Sequence, residues 1–201
     1  MSRRAQTDSA ETKRGLIASA TEEFAEYGYE GASLRQICSK AGVTTGALYF
    51  FFTSKEDLFK SVVSPLMSEL PAILASWIEH DIAVICDGEG EPTNVEALPD
   101  GLAELIEEYP LVPKIVLSNR DNPVVKEFLD EKVDEIASMV SERFARKGSK
   151  VSDGFSARLF ATMSADAFIQ ILATNEDLGL VAKHMAEVSD FVRGGLKATL
   201  R

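Results

Sequence analysis

The chain has 201 residues, of which 45% are apolar, a formal net charge of −11 and two cysteines. That apolar share can fill a real core, yet no run approaches the roughly eighteen consecutive apolar residues of a membrane span, and "MSRRAQTDSAETKR" has no apolar secretion signal, so the cytoplasm is the expected compartment, away from any membrane. Cys38 and Cys86, with His80 and His184, show neither a disulfide framework nor a metal-ligand spacing, and no metal or cofactor is expected.

Leu16, Ile17, Ala20, Phe24 and Tyr27 recur with helical period and Gly28 supplies a stop, which predicts a first helix. Ser33, three residues before Gln36, has capping-box spacing, and Leu34, Ile37, Cys38 and Ala41 form the stripe of a short second helix closed by Gly42. Thr44 can cap a third helix through "TGALYFF". Thr53 with Glu56 repeats the capping-box spacing ahead of a fourth, longer helix whose stripe is Leu58, Phe59, Val62, Val63 and Leu66. Two short helices joined by the glycine turn "AGVT" have the dimensions of a helix-turn-helix, although such a hairpin is also an ordinary packing unit of helical proteins.

Beyond residue 60, Pro65, Pro71, "DGEGEPTN", Pro99, Pro110, Pro113, "NRDNP", "KGSKVSDG" and "NEDLG" punctuate apolar-periodic segments. A larger helical body with helices of ordinary length is expected, with "DGEGEPTN" as a mobile loop. Its last two segments, roughly 155–174 and 179–200, carry Phe155, Leu159, Met163, Phe168 and Ile171, then Val181, Met185, Val188, Val192 and Leu196. The small residues Ala157, Ala161, Ser164, Ala165 and Ala167 permit close helix approach, which suits either one chain's own core or a helical dimer interface.

Charge separates the two parts. Residues 1–60 hold eight basic and eight acidic side chains and so cancel, while the remaining 13 basic and 24 acidic residues carry the whole −11. An acidic body repels phosphate, so any nucleic-acid contact belongs to the first 60 residues.

The string "GYEGASLRQICSKAGVTTGALYFFFTSKEDLF", residues 28–59, resembles the DNA-binding head of the tetracycline-repressor (TetR) family of bacterial regulators. Gly28, Ser33, Ile37, Ala41, Gly42, Val43, Thr44, Gly46, Leu48, Tyr49, Phe52, Lys55 and Leu58 carry the likeness, while Cys38 stands where the family has alanine and Phe51 where it has histidine. The resemblance implies an all-α protein, with a three-helix helix-turn-helix head (1–53) and a larger helical ligand-binding and dimerisation domain (54–201) that pairs with its copy through the last two helices. A helical step of about 100° puts Leu48 and Phe52 on one face, Thr45, Gly46, Tyr49 and Phe50 on the other, and Phe51 at the border. Leu48 and Phe52 are therefore expected in the core, and Phe51 packed over a neighbouring helix.

By resemblance Tyr49 hydrogen-bonds a phosphate, and Phe50 lies on the groove side, where an apolar ring can meet a thymine methyl. Arg35, Thr44, Thr45 and the bare backbone at Gly46 are the other groups able to approach a groove, and Lys55 is placed to pair with a phosphate at the start of the fourth helix. Arg3, Arg4, Lys13 and Arg14 form a basic arm that tracks the DNA backbone or serves as a solubilising tail.

The expected function is a homodimeric, ligand-responsive transcriptional regulator, a repressor rather than an activator. It would bind a palindromic operator in double-stranded DNA and be released by a small apolar or amphipathic inducer. Met67, Trp77, Tyr109, Asn119 and Met163 are candidates for the ligand cavity, although aromatic and methionine positions at helical spacing are usually plain core. No nucleophile elbow, phosphate loop or metal spacing occurs, and the carboxylates of Glu104, Glu107 and Glu108 form the solvated side of a helix, so no enzyme is expected. The alternative is a helical ligand-binding or scaffolding dimer without DNA binding, against which the intact "AGVTTGALY" weighs.

Overall fold

Leu16, Ala20 and Phe24 are fully buried along one side of the first helix, in one core with Ile37, Leu48, Phe52, Leu58 and Phe59. The computed structural model describes residues 3–87, 98–149, 153–175 and 177–199. Among them are nine helices and no strand: α1 (Arg3–Gly31), α2 (Leu34–Lys40), α3 (Thr45–Phe51), α4 (Lys55–Asp87), α5 (Leu102–Glu108), α6 (Val112–Ser118), α7 (Pro123–Ala145), α8 (Gly154–Thr174) and α9 (Leu178–Thr199). An all-α protein with a small head of short helices and a larger helical body is what the periodicities predict.

The stop at Gly28 is real but takes the form of a kink. Gly28 has φ 69°, a left-handed step that L side chains resist, and α1 resumes for one turn beyond it. Tyr27, expected in the stripe, is exposed, and the step rotates the residues that follow it so that Tyr29 turns inward. The Tyr29 ring lies 5.0 Å from that of Phe59 and 6.1 Å from that of Phe24, tying the end of α1 to α4.

Both expected capping boxes are corrected. Ser33 caps α2 without using its side chain. Its backbone N–H donates to Glu23 Oε1 at 3.1 Å, and the same buried carboxylate pairs with Lys40 Nζ at 3.3 Å. One glutamate on α1 thus serves both ends of α2, a long-range arrangement that local spacing cannot reveal. At α4 the box is shifted by one residue: Ser54 Oγ accepts from the Asp57 N–H at 3.1 Å, and Asp57 Oδ2 accepts from the Thr53 N–H at 2.8 Å. Glu56 instead pairs with Lys60 at 2.6 Å. The two hydrogen bonds from Thr53, backbone and hydroxyl, hold the Asp57 carboxyl below the usual carboxylate range.

Pro65 and Pro71 do not break the chain as their positions suggest; α4 runs through both for 33 residues. Each proline removes a rung of the hydrogen-bond ladder and costs about 3 kcal/mol in a helix interior. Burial on either side offsets this, because Leu58, Phe59, Val62, Val63 and Leu66 fill the first core and Ile82 the second. The stretch Lys55–Ala75 is long and apolar enough to cross a bilayer, yet that same stripe is packed against protein. Asp87 closes α4, and the rest of "DGEGEPTN" lies outside the described residues.

The first core holds Phe24, Ile37, Leu48 and Phe52 of the head together with Leu105, Ile115, Val116, Val125 and Ile169 of the body. Two further cores lie between α4, α7, α8 and α9 and between α5, α8 and α9. Ion pairs from Arg158 to Asp130 and Asp134, and from Arg120 to Asp166, cross-link α8 to α7 and to the loop before it.

Glu23→Ala should destabilise the protein by about 1–3 kcal/mol, because it leaves the Ser33 N–H without its acceptor. Glu22→Ala, which removes only an exposed partner of Lys40 at 3.8 Å, should change stability by less than about 0.5 kcal/mol. Urea unfolding of the two variants checks the contrast, and equal losses would refute the capping role.

Candidate nucleic-acid interface

The turn between α2 and α3 closes on Gly42, at φ 68°. Around it the N–H groups of Ala41, Gly42 and Val43 donate to the carbonyls of Ile37, Ser39 and Cys38 at 3.0–3.2 Å, a left-handed C-terminal closure that favours glycine. Thr44 then caps α3, its Oγ1 accepting from the Ala47 N–H at 3.2 Å. With both ends fixed, the rotation of α3 is set by its apolar pair: Leu48 and Phe52 are sealed in the core, and Phe52 is 2% exposed.

The opposite face is open. Thr44, Thr45, Gly46, Tyr49 and Phe50 are exposed, and Phe50 is 78% exposed. Phe51 is half-buried at the edge of the core, as its border position predicts, with its ring 6.4 Å from that of Phe52. It also meets the Phe50 ring edge to face at 5.0 Å, so the exposed ring is backed by a packed one.

Arg35 is exposed on α2 and makes no ion pair among the described residues. Lys55 is half-buried: its ammonium donates to the Glu30 carbonyl at 3.2 Å and sits 4.9 Å from the centre of the Tyr29 ring. It therefore joins the start of α4 to the end of α1, a contact the sequence reading did not foresee. Lys40 and Lys60 are also engaged, with Glu23 and Glu56. Lys13 lies 5.7 Å from the Phe52 ring centre. Arg3 and Arg4 begin α1, and their side chains lie outside the described residues.

The body encloses a cavity of about 270 Å³ between α4, α6, α7 and α8. Its wall includes Leu66, Leu70, Leu74 and Ile78 of α4, Val116 of α6, Leu129 and Ile136 of α7, and Phe168 of α8; among the described residues, Lys132 and Glu135 are the only charged ones in it. Met67 lies in this wall. The other ligand candidates are elsewhere. Tyr109 packs on the first core and donates its hydroxyl to Glu108 at 2.9 Å. Asn119 caps the end of α6, where Oδ1 accepts from the Tyr29 N–H at 2.8 Å and Nδ2 donates to the Ile115 carbonyl at 2.7 Å. Met163 is exposed on α8, and Trp77 stands on α4 with its side chain outside the described residues. Residues with distinctive side chains drew the sequence reading, whereas the cavity is mostly aliphatic. The available signal was a second apolar row on α4, at Leu66, Leu70, Leu74 and Ile78, spaced by four.

On the outside of the body, Phe155, Leu159 and Met163 of α8 and Leu180 and Phe191 of α9 are exposed. An open groove between the two helices is lined by Met163, Ala167, Ile171, His184, Val188 and Phe191 among others.

Known proteins share this arrangement. The family profile described as bacterial regulatory proteins, tetR family, matches residues 16–62, from within α1 to the early turns of α4. The HTH-type transcriptional regulator UidR of Escherichia coli is 25% identical over 193 residues, covering 94% of this chain and 91% of its own. The HTH-type transcriptional repressor BepR of Brucella suis is 39% identical over 61 residues, which are 30% of this chain and 29% of its own. Among solved structures, a TetR-family transcriptional regulator from Streptomyces coelicolor superposes with a TM-score of 0.53 at 20% identity, covering 94% of this chain and 97% of its own. A transcriptional regulator from Aquifex aeolicus gives the same TM-score at 20% identity, over 93% and 98%. These relatives are regulators rather than enzymes. Residues 16–62 thus carry the DNA-binding helix-turn-helix head of the TetR family, and along nearly its full length the chain is similar to helix-turn-helix transcriptional regulators.

Proposed function

We propose that this regulator is a cytoplasmic, homodimeric repressor that holds a palindromic operator through α3 and releases it when a small apolar or amphipathic molecule enters the body. The observation that carries the reading is the division of α3 into a buried face, Leu48 and Phe52, and an exposed one, Thr45, Gly46, Tyr49 and Phe50. Residues 1–53 act as the reader and 54–201 as the sensor and dimerisation unit. Tyr49 holds a phosphate, Phe50 meets a thymine methyl, and Thr44, Thr45, Gly46, Arg35 and Lys55 complete the contact surface. A second copy covers the exposed rings of α8 and α9, an apolar face on an otherwise acidic body.

Two helices carry a signal from cavity to head. α4 contributes Leu66, Met67 and Leu70 to the cavity wall and begins at Lys55 in the head. α6 contributes Pro113 and Val116 and ends at Asn119, which holds the Tyr29 backbone. A ligand weakens operator binding only by binding the DNA-incompetent arrangement more tightly than the competent one, since equal affinity shifts nothing.

The direct test is a gel shift and footprint with the DNA flanking its own gene. An inverted repeat with half-site centres about 34–36 Å apart, or a multiple of that, is expected. A single asymmetric half-site would refute the dimeric reading.

Adjacent phenylalanines should behave differently. Phe52→Ala should cost about 3–5 kcal/mol of stability. Phe50→Ala should leave the melting temperature unchanged but weaken operator binding by about 1–3 kcal/mol at a thymine-containing position. Melting curves and operator titrations of both variants decide this, and the opposite pattern would mean that α3 presents its other face.

Arg35→Ala should lower the slope of log affinity against log salt by about one while leaving stability intact. Lys55→Ala should lower the slope similarly and also reduce the melting temperature, because it frees the Glu30 carbonyl. An unchanged slope removes the residue concerned from the phosphate contacts. Phe191→Asp, which puts a charge on the exposed α9 face, should yield monomers in sedimentation at concentrations where the unaltered protein is dimeric.

A further inference from the structure

The Phe50 ring is 78% exposed near the end of α3. Helix geometry brings residues three and four apart side by side, so its neighbours on α3 are Gly46 and Ala47, neither of which has a polar side chain. The space at Gly46 is open, since a Cβ there would find only Thr44 Oγ1 within 4 Å, at 3.8 Å. One turn beyond Phe50 stand Thr53 and Ser54, and both hydroxyls take part in the cap of α4. Thr53 Oγ1 donates to Asp57 Oδ2 at 3.1 Å, and Ser54 Oγ accepts from the Asp57 N–H at 3.1 Å. The hydroxyls of Tyr49 and Thr45 belong to residues about 100° and 140° around the helix from Phe50. Phe50 thus occupies an apolar patch of the outward face, with no hydrogen-bonding side chain beside it on α3 at helical spacing.

A phenyl ring has neither a donor nor an acceptor of the kind that reads a base edge. In the major groove it can sense the one apolar feature a base pair offers, the C5-methyl of thymine, and it is blind to the O4 or N4 beside that methyl. 5-Methylcytosine carries the same methyl on the same ring carbon. Resting on the reading of α3 as the operator helix, we propose that the base pair facing Phe50 is recognised through its C5-methyl alone, so that thymine and 5-methylcytosine are accepted equally and uracil and cytosine are both rejected. Methylation of a cytosine at that position therefore raises affinity, an input to the regulator that is separate from any ligand of the body. The ring is prepared for such a contact. Phe51, half-buried on the core, meets it edge to face at 5.0 Å and limits the orientations it would lose on binding. Lys40 and Lys60 are engaged by carboxylates within the head, so small apolar contacts carry a larger share of the selectivity. Burying one methyl group is worth about a factor of four per half-site, or about fifteenfold over the two half-sites of an inverted repeat.

The test takes the operator defined by footprinting and measures binding of the unaltered full-length protein by fluorescence anisotropy, with one thymine of each half-site at a time replaced by deoxyuridine. One symmetric pair of positions should lose about fifteenfold in affinity. At that pair, changing T·A to C·G should weaken binding by a similar factor, and methylating the cytosine at C5 should restore it to within about twofold of thymine. Phe50→Ala should abolish both methyl effects with its melting temperature unchanged, while Phe50→Leu, which keeps an apolar group, should retain part of them. Indifference to deoxyuridine at every thymine overturns the proposal while operator binding stands. So does 5-methylcytosine that binds no better than cytosine, because the hydrogen-bonding edge would then be read as well. Methyl effects that survive in Phe50→Ala also overturn it, since another residue would be responsible. A protein that protects no segment of the DNA flanking its gene overturns the operator reading and the proposal together.

Discussion

The hydrogen bond from the Tyr29 backbone N–H to Asn119 Oδ1, at 2.8 Å, is the contact around which the head is set on the body. It exists because Gly28 takes a left-handed step, which carries Tyr29 out of the regular line of α1. The body supplies the acceptor from the end of α6, and the Asn119 amide is itself fixed by the Ile115 carbonyl. Lys55 closes the same joint from α4 through the Glu30 carbonyl. Three helices therefore meet at three consecutive residues, 28–30, and the last turn of α1 is completed by groups that belong to other elements.

Much of the head was legible because its information is local. The four-residue repeat from Leu48 to Phe52 fixes which side of α3 is buried, and Gly42 and Thr44 fix where it starts, all within a dozen residues. What was not legible depends on partners far along the chain. Ser33 looks like a self-sufficient cap, but Glu23 supplies its function from the facing helix. Pro65 and Pro71 read as breaks because the packing that outweighs them comes from elements far along the sequence. At the cavity, reading by residue type selected Tyr109 and Asn119, whose polar atoms are engaged in the framework instead. An aliphatic wall has no polar signature, and only the geometry shows which leucines of α4 face a space rather than a neighbour.

The exposed face of α3 and its surroundings carry little unengaged positive charge. Lys40, Lys55 and Lys60 are each engaged by a carboxylate or a carbonyl within the head, so much of its positive charge is already spent on holding short helices together. What remains outward on α3 is aromatic and hydroxyl surface, with Arg35 beside it on α2. On the proposed reading, a surface of this composition would gain less from general attraction to phosphate and more from fit to particular base edges. The edge-to-face pair of Phe50 and Phe51 suits that role, since a ring backed by a half-buried neighbour has fewer orientations to lose on contact.

The prolines of α4 have a consequence beyond their cost to stability. Pro71 stands in the cavity wall and Pro65 six residues nearer the head, and neither can donate to the helical ladder. The helix that runs from the cavity to the head is thus missing rungs at the level of the cavity wall. Helices bend most easily where the ladder is interrupted, so the same sequence feature that weakens α4 as a rigid rod makes it compliant at one height and stiff elsewhere. A small push at Pro71 would then swing the Lys55 end as a lever rather than being lost along the length of the helix.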